Sequence, residues 1–330
     1  MVCGSSIENA CCAAYSEVVV SQSPSSRPRS GRTNRDKHEI VTMRSRRAAV
    51  FALLVTPVCF GLAPAEKTGR PTPLVRAHAH NDYAHGRPLY DALDRGFCSV
   101  EADVCLVGGQ LRVAHDPDKT TPGRTLEALY LDPLLERVRQ NGGRVYRAGP
   151  EFTLLIDIKT NGRDTYAALR EVFPRYAEML TVFRAGRREP KAITAIVSGS
   201  RPRELIAEES VRYAAIDGRL EDLEIDPPTD LVPLVSDNWR SHFKWLGHGP
   251  IPEDQRQRLG EMVAKAHGQG RRIRFWASPD LPSGWRELHA AGVDLINTDK
   301  LAEVQQFLLS RSAASGAGPK GAAKSPFFGL

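Results

Sequence analysis

From residue 73 to about residue 310, short apolar runs alternate with longer stretches of helical period. The runs that read as strands are PLVRAHA (73–79), SVEADV (99–104), FTLLIDIK (152–159), AITAIVSG (192–199), RYAAID (212–217), LVPLVSD (231–237), RIRFWAS (272–278) and VDLINTD (293–299). Their length and their apolar content suit strands covered on both faces. Between them lie helical patterns such as RPLYDALDRG (87–96), DTYAALREVFPRYAEML (164–180), EDQRQRLGEMVAKAHGQG (253–270) and SGWRELHAAG (283–292), several of them ending in Gly. Eight strand–helix units in about 240 residues predict the α/β class and a single-domain (β/α)8 TIM barrel over residues 66–311. An open, doubly wound sheet is the competing architecture. Two insertions interrupt the alternation: a hairpin, LVGGQLRVAH (106–115), and the segment 117–150, helical around LEALYLDPLLERVRQ (126–140). From Ser312 the chain is small and polar without period, the pattern of a disordered tail.

The N-terminal part follows a different rule. Residues 1–42 are polar, Ser/Arg-rich and unpatterned. From Met43 the sequence MRSRRAAVFALLVTPVCFGLAPAEK puts three arginines before an apolar stretch and closes on Ala63-Pro64-Ala65. This is the layout of a cleaved export signal over residues 43–65, and the apolar stretch is short for a membrane span, which needs about 20 residues. An uncleaved anchor is the other reading. The expectation is a start at Met43, with residues 1–42 an extension, and a periplasmic or extracellular mature chain.

Charge follows the same division. The net +6 suggests a nucleic-acid partner until it is located: residues 1–65 hold eight Lys/Arg against four acids, so only +2 belongs to the body. A nucleic-acid footprint needs a basic face on the folded part, and none is evident. Of six cysteines, Cys98 and Cys105 fall in the body, on one strand. Seven positions of extended chain separate them by roughly 23 Å, beyond disulfide reach, so both are expected unpaired and buried.

Chemistry concentrates at the strand ends. Side chains alternate inward and outward along a barrel strand. In SVEADV, Glu101 and Asp103 share one face while Val100, Ala102 and Val104 share the other. Inward carboxylates this close repel one another unless a cation sits between them, and an all-oxygen set suits a hard ion such as Mg²⁺ or Ca²⁺. In LLIDIKT, Asp157 is a candidate third ligand and Lys159 a cation aimed at an anionic substrate. Strand one ends in HAHND, which supplies His78, His80, Asn81 and Asp82, with Asn81 a candidate substrate contact. The hairpin returns His115 to the same mouth. Two histidines flanking a metal-bound phosphate would let one take a proton from the nucleophile and the other give one to the leaving oxygen.

Together, HAHNDY, SVEADV, the VAHD after the hairpin, LLIDIK and GVDLINTD resemble the phosphatidylinositol-specific phospholipase C-like phosphodiesterase superfamily, which includes glycerophosphodiester phosphodiesterases and sphingomyelinase D-like enzymes; the similarity is closest to the group of altered inheritance of mitochondria protein 6. It spans roughly residues 73 to 310. The resemblance implies a metal-dependent phosphodiester hydrolase acting on a glycerophosphodiester or phospholipid-type substrate. It implies a divalent metal, Mg²⁺ or Ca²⁺, on Glu101, Asp103 and Asp157. It also implies acid/base histidines at His78 or His80 and at His115, with Trp276 and Asn297 lining the substrate pocket. A lipid substrate would bring transient contact with a membrane surface; no oligomeric state follows. Departures stand beside the likeness: no Arg follows the first His, and the third acid is Asp. Two rival readings remain. A noncatalytic secreted barrel could bind a polyol phosphate or a glycan. A metal-dependent amidohydrolase would use His78-x-His80, but it wants further histidines on strands five and six, and RYAAID and LVPLVSD have none.

Overall fold

The computed structural model describes residues 70–316, with side chains to residue 312. The expected extension (1–42), the export signal (43–65) and the tail after residue 316 lie outside the described residues. The eight expected strands all form: β1 Leu74–Ala79, β2 Phe97–Val107, β3 Phe152–Ile158, β4 Ile193–Gly199, β5 Ala214–Gly218, β6 Leu234–Asn238, β7 Arg272–Trp276 and β8 Ile296–Thr298. They pair in parallel, in the order β7-β6-β5-β4-β3-β2-β1-β8. A parallel bridge between Arg274 and Leu295, with the Asp294 amide donating to the Ile273 carbonyl at 3.1 Å, joins β7 to β8. This closes a (β/α)8 barrel and excludes the open sheet.

The interior is layered. Leu155, Ile196, Ala215, Leu234 and Leu295 form an apolar disc with Phe183 beneath them. Phe183 belongs to a small antiparallel sheet (Val182–Arg184, Arg187–Glu189, Val211–Arg212) that the strand pattern did not predict. The Arg212 guanidinium lies 4.3 Å from the Phe183 ring centre. Two residues further along the same strands stand Asp157, Ser198, Asp217 and Ser236, so the inward face changes from apolar to polar towards the strand C-termini. On the outer face Val100, Ala102 and Val104 pack into the larger core under the helices. The helix Glu253–Gly268 buries Leu259, Val263 and Ala266, a 3.6-residue stripe.

Local differences have identifiable causes. The helix expected over 87–96 shrinks to Tyr90–Leu93. Asp82 captures the Leu89 amide at 2.5 Å, and Leu89 adopts φ 66°, so a side-chain acceptor replaces the first helical turn. Residues 126–140 divide into a wide turn, Glu127–Leu131, and a regular helix, Asp132–Gln140. The hairpin forms as expected: Gln110–Val113 runs antiparallel to the end of β2, turned by Gly108 and Gly109 at φ 59° and 75°. The last helix, Leu301–Gly316, continues past Ser312, where the sequence loses its period. Cys98 and Cys105 are free and buried, and burial pushes the Cys98 thiol up to about 12.

Candidate active site

Glu101, Asp103 and Asp157 converge at the C-terminal mouth, each offering a carboxylate oxygen within 4.8 Å of the others. Pairing of β2 with β3 sets Asp103 directly beside Asp157. Asp103 is fully buried and its two oxygens have different tasks. Oδ2 accepts from the Tyr83 hydroxyl at 2.8 Å and from His115 Nδ1 at 2.8 Å, with Lys159 Nζ at 3.3 Å. Oδ1 is buried without a partner. An oxygen left bare there, next to two more carboxylates, matches the donor set of a hard divalent cation. The crowding is visible at Asp157: burial above all, then the charges of Glu101 and Asp103, push its carboxyl up to about 6 against the opposing pull of Lys159. Lys159 bridges Asp103 and Asp157, and these charges outweigh burial to raise its affinity for its proton.

The hairpin explains how His115 reaches this centre. The Ala114 amide donates to the Asp103 carbonyl at 3.1 Å, so the chain leaving the hairpin is pinned to β2 at the residue whose side chain holds His115. With Nδ1 donating to Asp103, His115 keeps Nε2 as an acceptor, and its side chain is more than half exposed.

The two histidines of strand one diverge, and of the two alternatives His80 lines the open cavity while His78 does not. His78 is fully buried. Arg274 Nη1 lies 2.5 Å from its Nε2 and donates to Glu101 Oε2 at 2.6 Å. A guanidinium can only donate, so His78 Nε2 is the acceptor and Nδ1–H donates to Ser99 Oγ at 2.7 Å. Burial, reinforced by the charge of Arg274, lowers His78 to about 4, which keeps it neutral. His80 instead lines the open cavity. Its Nδ1 pairs with Asp299 at 2.8 Å, and that hydrogen bond and charge outweigh burial to raise its proton affinity. Strand one therefore lacks a convergent histidine pair of the kind a zinc amidohydrolase needs, and the ends of β5 and β6 offer Asp217, Asp237 and Asn238 rather than histidine.

A cavity of about 330 Å³ opens above the acids, lined by His80, Asn81, Glu101, His115, Asp157, Lys159, Ser198, Arg219, Arg274 and Trp276. Trp276 and Asn81 thus stand where they were expected. Asn81 sits at φ 45°, with its Oδ1 3.2 Å from the Tyr83 hydroxyl. Asn297 does not reach the cavity: it pairs with His78 across β1 and β8 and is buried, its Oδ1 without a partner. Sequence reasoning missed Arg274, Arg219, Ser198 and Tyr83. For Arg274 a signal existed, since it lies two residues from Trp276 and a charge in the inward register of a barrel strand needs a partner. For Tyr83 and Arg219, in loops after β1 and β5, no periodicity could have indicated a direction.

Fold and acidic centre together define a (β/α)8 barrel of phosphodiesterase type. Residues 68–217 match the AIM6-like phosphodiesterase domain, and residues 272–302 match the glycerophosphoryl diester phosphodiesterase family. Altered inheritance of mitochondria protein 6 of Eremothecium gossypii is 31% identical over 288 residues, covering 75% of this chain and 73% of that protein. The homologous protein of Arthroderma benhamiae is 28% identical over 259 residues, covering 68% of this chain and 81% of its own. Among solved structures, a glycerophosphodiester phosphodiesterase from Parabacteroides distasonis aligns with a TM-score of 0.46 at 16% identity, over 73% of this chain and 99% of that one. The chain belongs to the altered inheritance of mitochondria protein 6 family.

Proposed function

We propose that this protein is a metal-dependent phosphodiester hydrolase acting on a glycerophosphodiester or phospholipid-type substrate, and that it works outside the cytoplasm. The observation that carries the reading is the division of labour at Asp103. One oxygen gathers Tyr83, His115 and Lys159, and the other is buried and bare beside Glu101 and Asp157. Glu101, Asp103 and Asp157 would hold Mg²⁺ or Ca²⁺, whose charge would offset that of the phosphate.

The chain's own groups supply the rest. Lys159 presents an ammonium to the phosphate oxygens. His115, oriented by Asp103, offers Nε2 as the base that takes a proton from the attacking hydroxyl. His80, whose proton affinity Asp299 raises, would serve as the acid that gives a proton to the leaving oxygen. Arg274 fixes Glu101 and keeps His78 neutral beneath the site.

Bis(p-nitrophenyl) phosphate turnover tests this. EDTA is expected to abolish it, Mg²⁺ or Ca²⁺ to restore it, and His115→Ala to lower kcat by about 10²–10⁴ without loss of fold. Full turnover in EDTA, or rescue by Zn²⁺ alone, would refute the proposal. Phosphorus NMR of the product on natural diesters then separates hydrolysis from cyclic phosphate formation.

A further inference from the structure

Next to Asp157 in the barrel order, the ends of β4 and β5 build a second cationic wall that the proposed chemistry does not use. Arg219 lines the same cavity as Asp157 and Lys159. Its position is fixed in advance. Its backbone amide donates to Asp222 Oδ2 at 2.7 Å, and Nη1 donates to the Gly218 carbonyl at 2.8 Å and to Asp217 Oδ2 at 3.2 Å. Asp222 is itself paired with Arg203. Gly218 is needed there, since a Cβ would press on Val232 and on the Asp222 carboxylate. Asp217 is fully buried and also accepts from Ser198 Oγ at 2.7 Å, while its Oδ1 has no partner.

Beside this wall stands Arg201, whose Nε is buried without a partner. Burial first, then the neighbouring charges of Arg219 and Arg203, lower its affinity for its proton even though Asp217 and Asp222 pull the other way. Arg203 pairs with Asp222 and Arg219 with Asp217, while the Asp237 carboxylate beside them holds the Leu220 amide. The cavity lining is otherwise polar, with Trp276 its one large apolar side chain. A guanidinium held rigidly at one side of a small polar cavity favours negative charge on what enters.

We propose that Arg219, backed by Arg201 and seated on Asp217, is a specificity subsite for a second anionic group, a carboxylate or a phosphomonoester, carried by the alcohol portion of the phosphodiester. This rests on the hydrolase reading and narrows its substrate class: anionic head groups are favoured over neutral hydroxylated ones, and a quaternary ammonium is rejected by the guanidinium.

A matched pair of probes tests it, the p-nitrophenyl diesters of glycerol 3-phosphate and of 3-phosphoglycerate, which differ by a hydroxymethyl against a carboxylate. The wild-type protein with Mg²⁺ is expected to favour the glycerate diester in kcat/KM by roughly tenfold or more, the worth of one charge-assisted contact. Arg219→Gln is expected to bring that ratio near one, and Arg219→Lys to leave an intermediate ratio. Calorimetry with 3-phosphoglycerate and glycerol 3-phosphate is expected to give the same preference as a ratio of Kd values, independent of turnover. Equal use of the two diesters by the wild-type protein, or a ratio unmoved by Arg219→Gln, would overturn the inference while leaving the hydrolase reading intact. Preferential binding with no turnover of either diester would sink the hydrolase reading and leave the anion subsite standing.

Discussion

At the scale of single residues, two buried charges make predictions of opposite kind. Asp82 lies under the loop after β1 and accepts from the Leu89 amide and from the Tyr130 hydroxyl, but its Oδ1 has no partner. Burial outweighs both bonds and pushes its carboxyl up to about 6. An acid whose folded pKa is raised contributes stability that is fully present below its unfolded value, about 3.9, and is lost as pH rises through 6. Asp82→Asn keeps an acceptor for both donors and removes the charge. It is therefore expected to be more stable than wild type by about 1–2 kcal/mol at pH 8, with the gap closing below pH 6. Urea unfolding at both pH values measures this; a gap independent of pH would contradict it. Arg274 is the converse case. It neutralises Glu101 where both side chains are buried at the cavity floor. Arg274→Leu leaves that carboxylate without its cation and is expected to destabilise the metal-free protein by about 3 kcal/mol. Mg²⁺ should recover part of the loss by taking over the charge. Thermal melts with EDTA and with Mg²⁺ give the comparison, and an equal Tm drop in both would exclude a shared role at Glu101.

At the scale of elements, the strands were legible because both of their faces carry information. Outward Val100, Ala102 and Val104 pack under the helices, while inward Glu101 and Asp103 alternate with them, so a single pattern reported both core and site. The same logic fails for residues whose direction depends on a loop. His78 and His80 are two apart, yet His78 lies within β1, buried against Arg274, while His80 follows the strand end and meets the cavity. No sequence period encodes that. The hairpin lies between these cases: its two glycines announced a turn, and the turn decides where His115 stands. A Cβ at Gly109 would touch nothing, so a substitution there acts only through the backbone, at φ 75°. Gly109→Val is expected to strain the turn by about 1–2 kcal/mol and to lower kcat about tenfold by loosening His115. Gly109→Asn, which tolerates left-handed backbone, should stay near wild type. Mg²⁺ affinity should hold in both variants, because the three acids lie on β2 and β3. Equal kcat for the Val and Asn variants would show that the turn does not position the histidine.

At the scale of the whole barrel, stability and chemistry occupy different ends. The apolar disc of Leu155, Ile196, Ala215, Leu234 and Leu295, with Phe183 beneath it, lies towards the strand N-termini, while the charged layer begins two residues further on. The disc excludes water from the barrel centre, and the charged layer above it meets an open cavity. The closing contact between β7 and β8 involves Arg274, so barrel closure and the acidic centre share one residue. Leu295 of the disc is the other partner in that contact, whereas Phe183 takes part in neither closure nor centre. Phe183→Ala therefore removes a buried ring that lies in a separate small sheet, on the far side of the disc from the site. It is expected to cost about 3–5 kcal/mol through lost burial and a residual cavity. At temperatures where the variant remains folded, kcat and Mg²⁺ affinity are expected to match wild type. His115→Ala should show the reverse, a large fall in kcat with a nearly unchanged Tm, because its side chain is more than half exposed. Calorimetric melts and steady-state rates on both variants give a two-by-two comparison. If Phe183→Ala lowered kcat in the folded protein as strongly as His115→Ala, the floor would be coupled to the mouth through the apolar disc, and the separation of the two ends would be wrong.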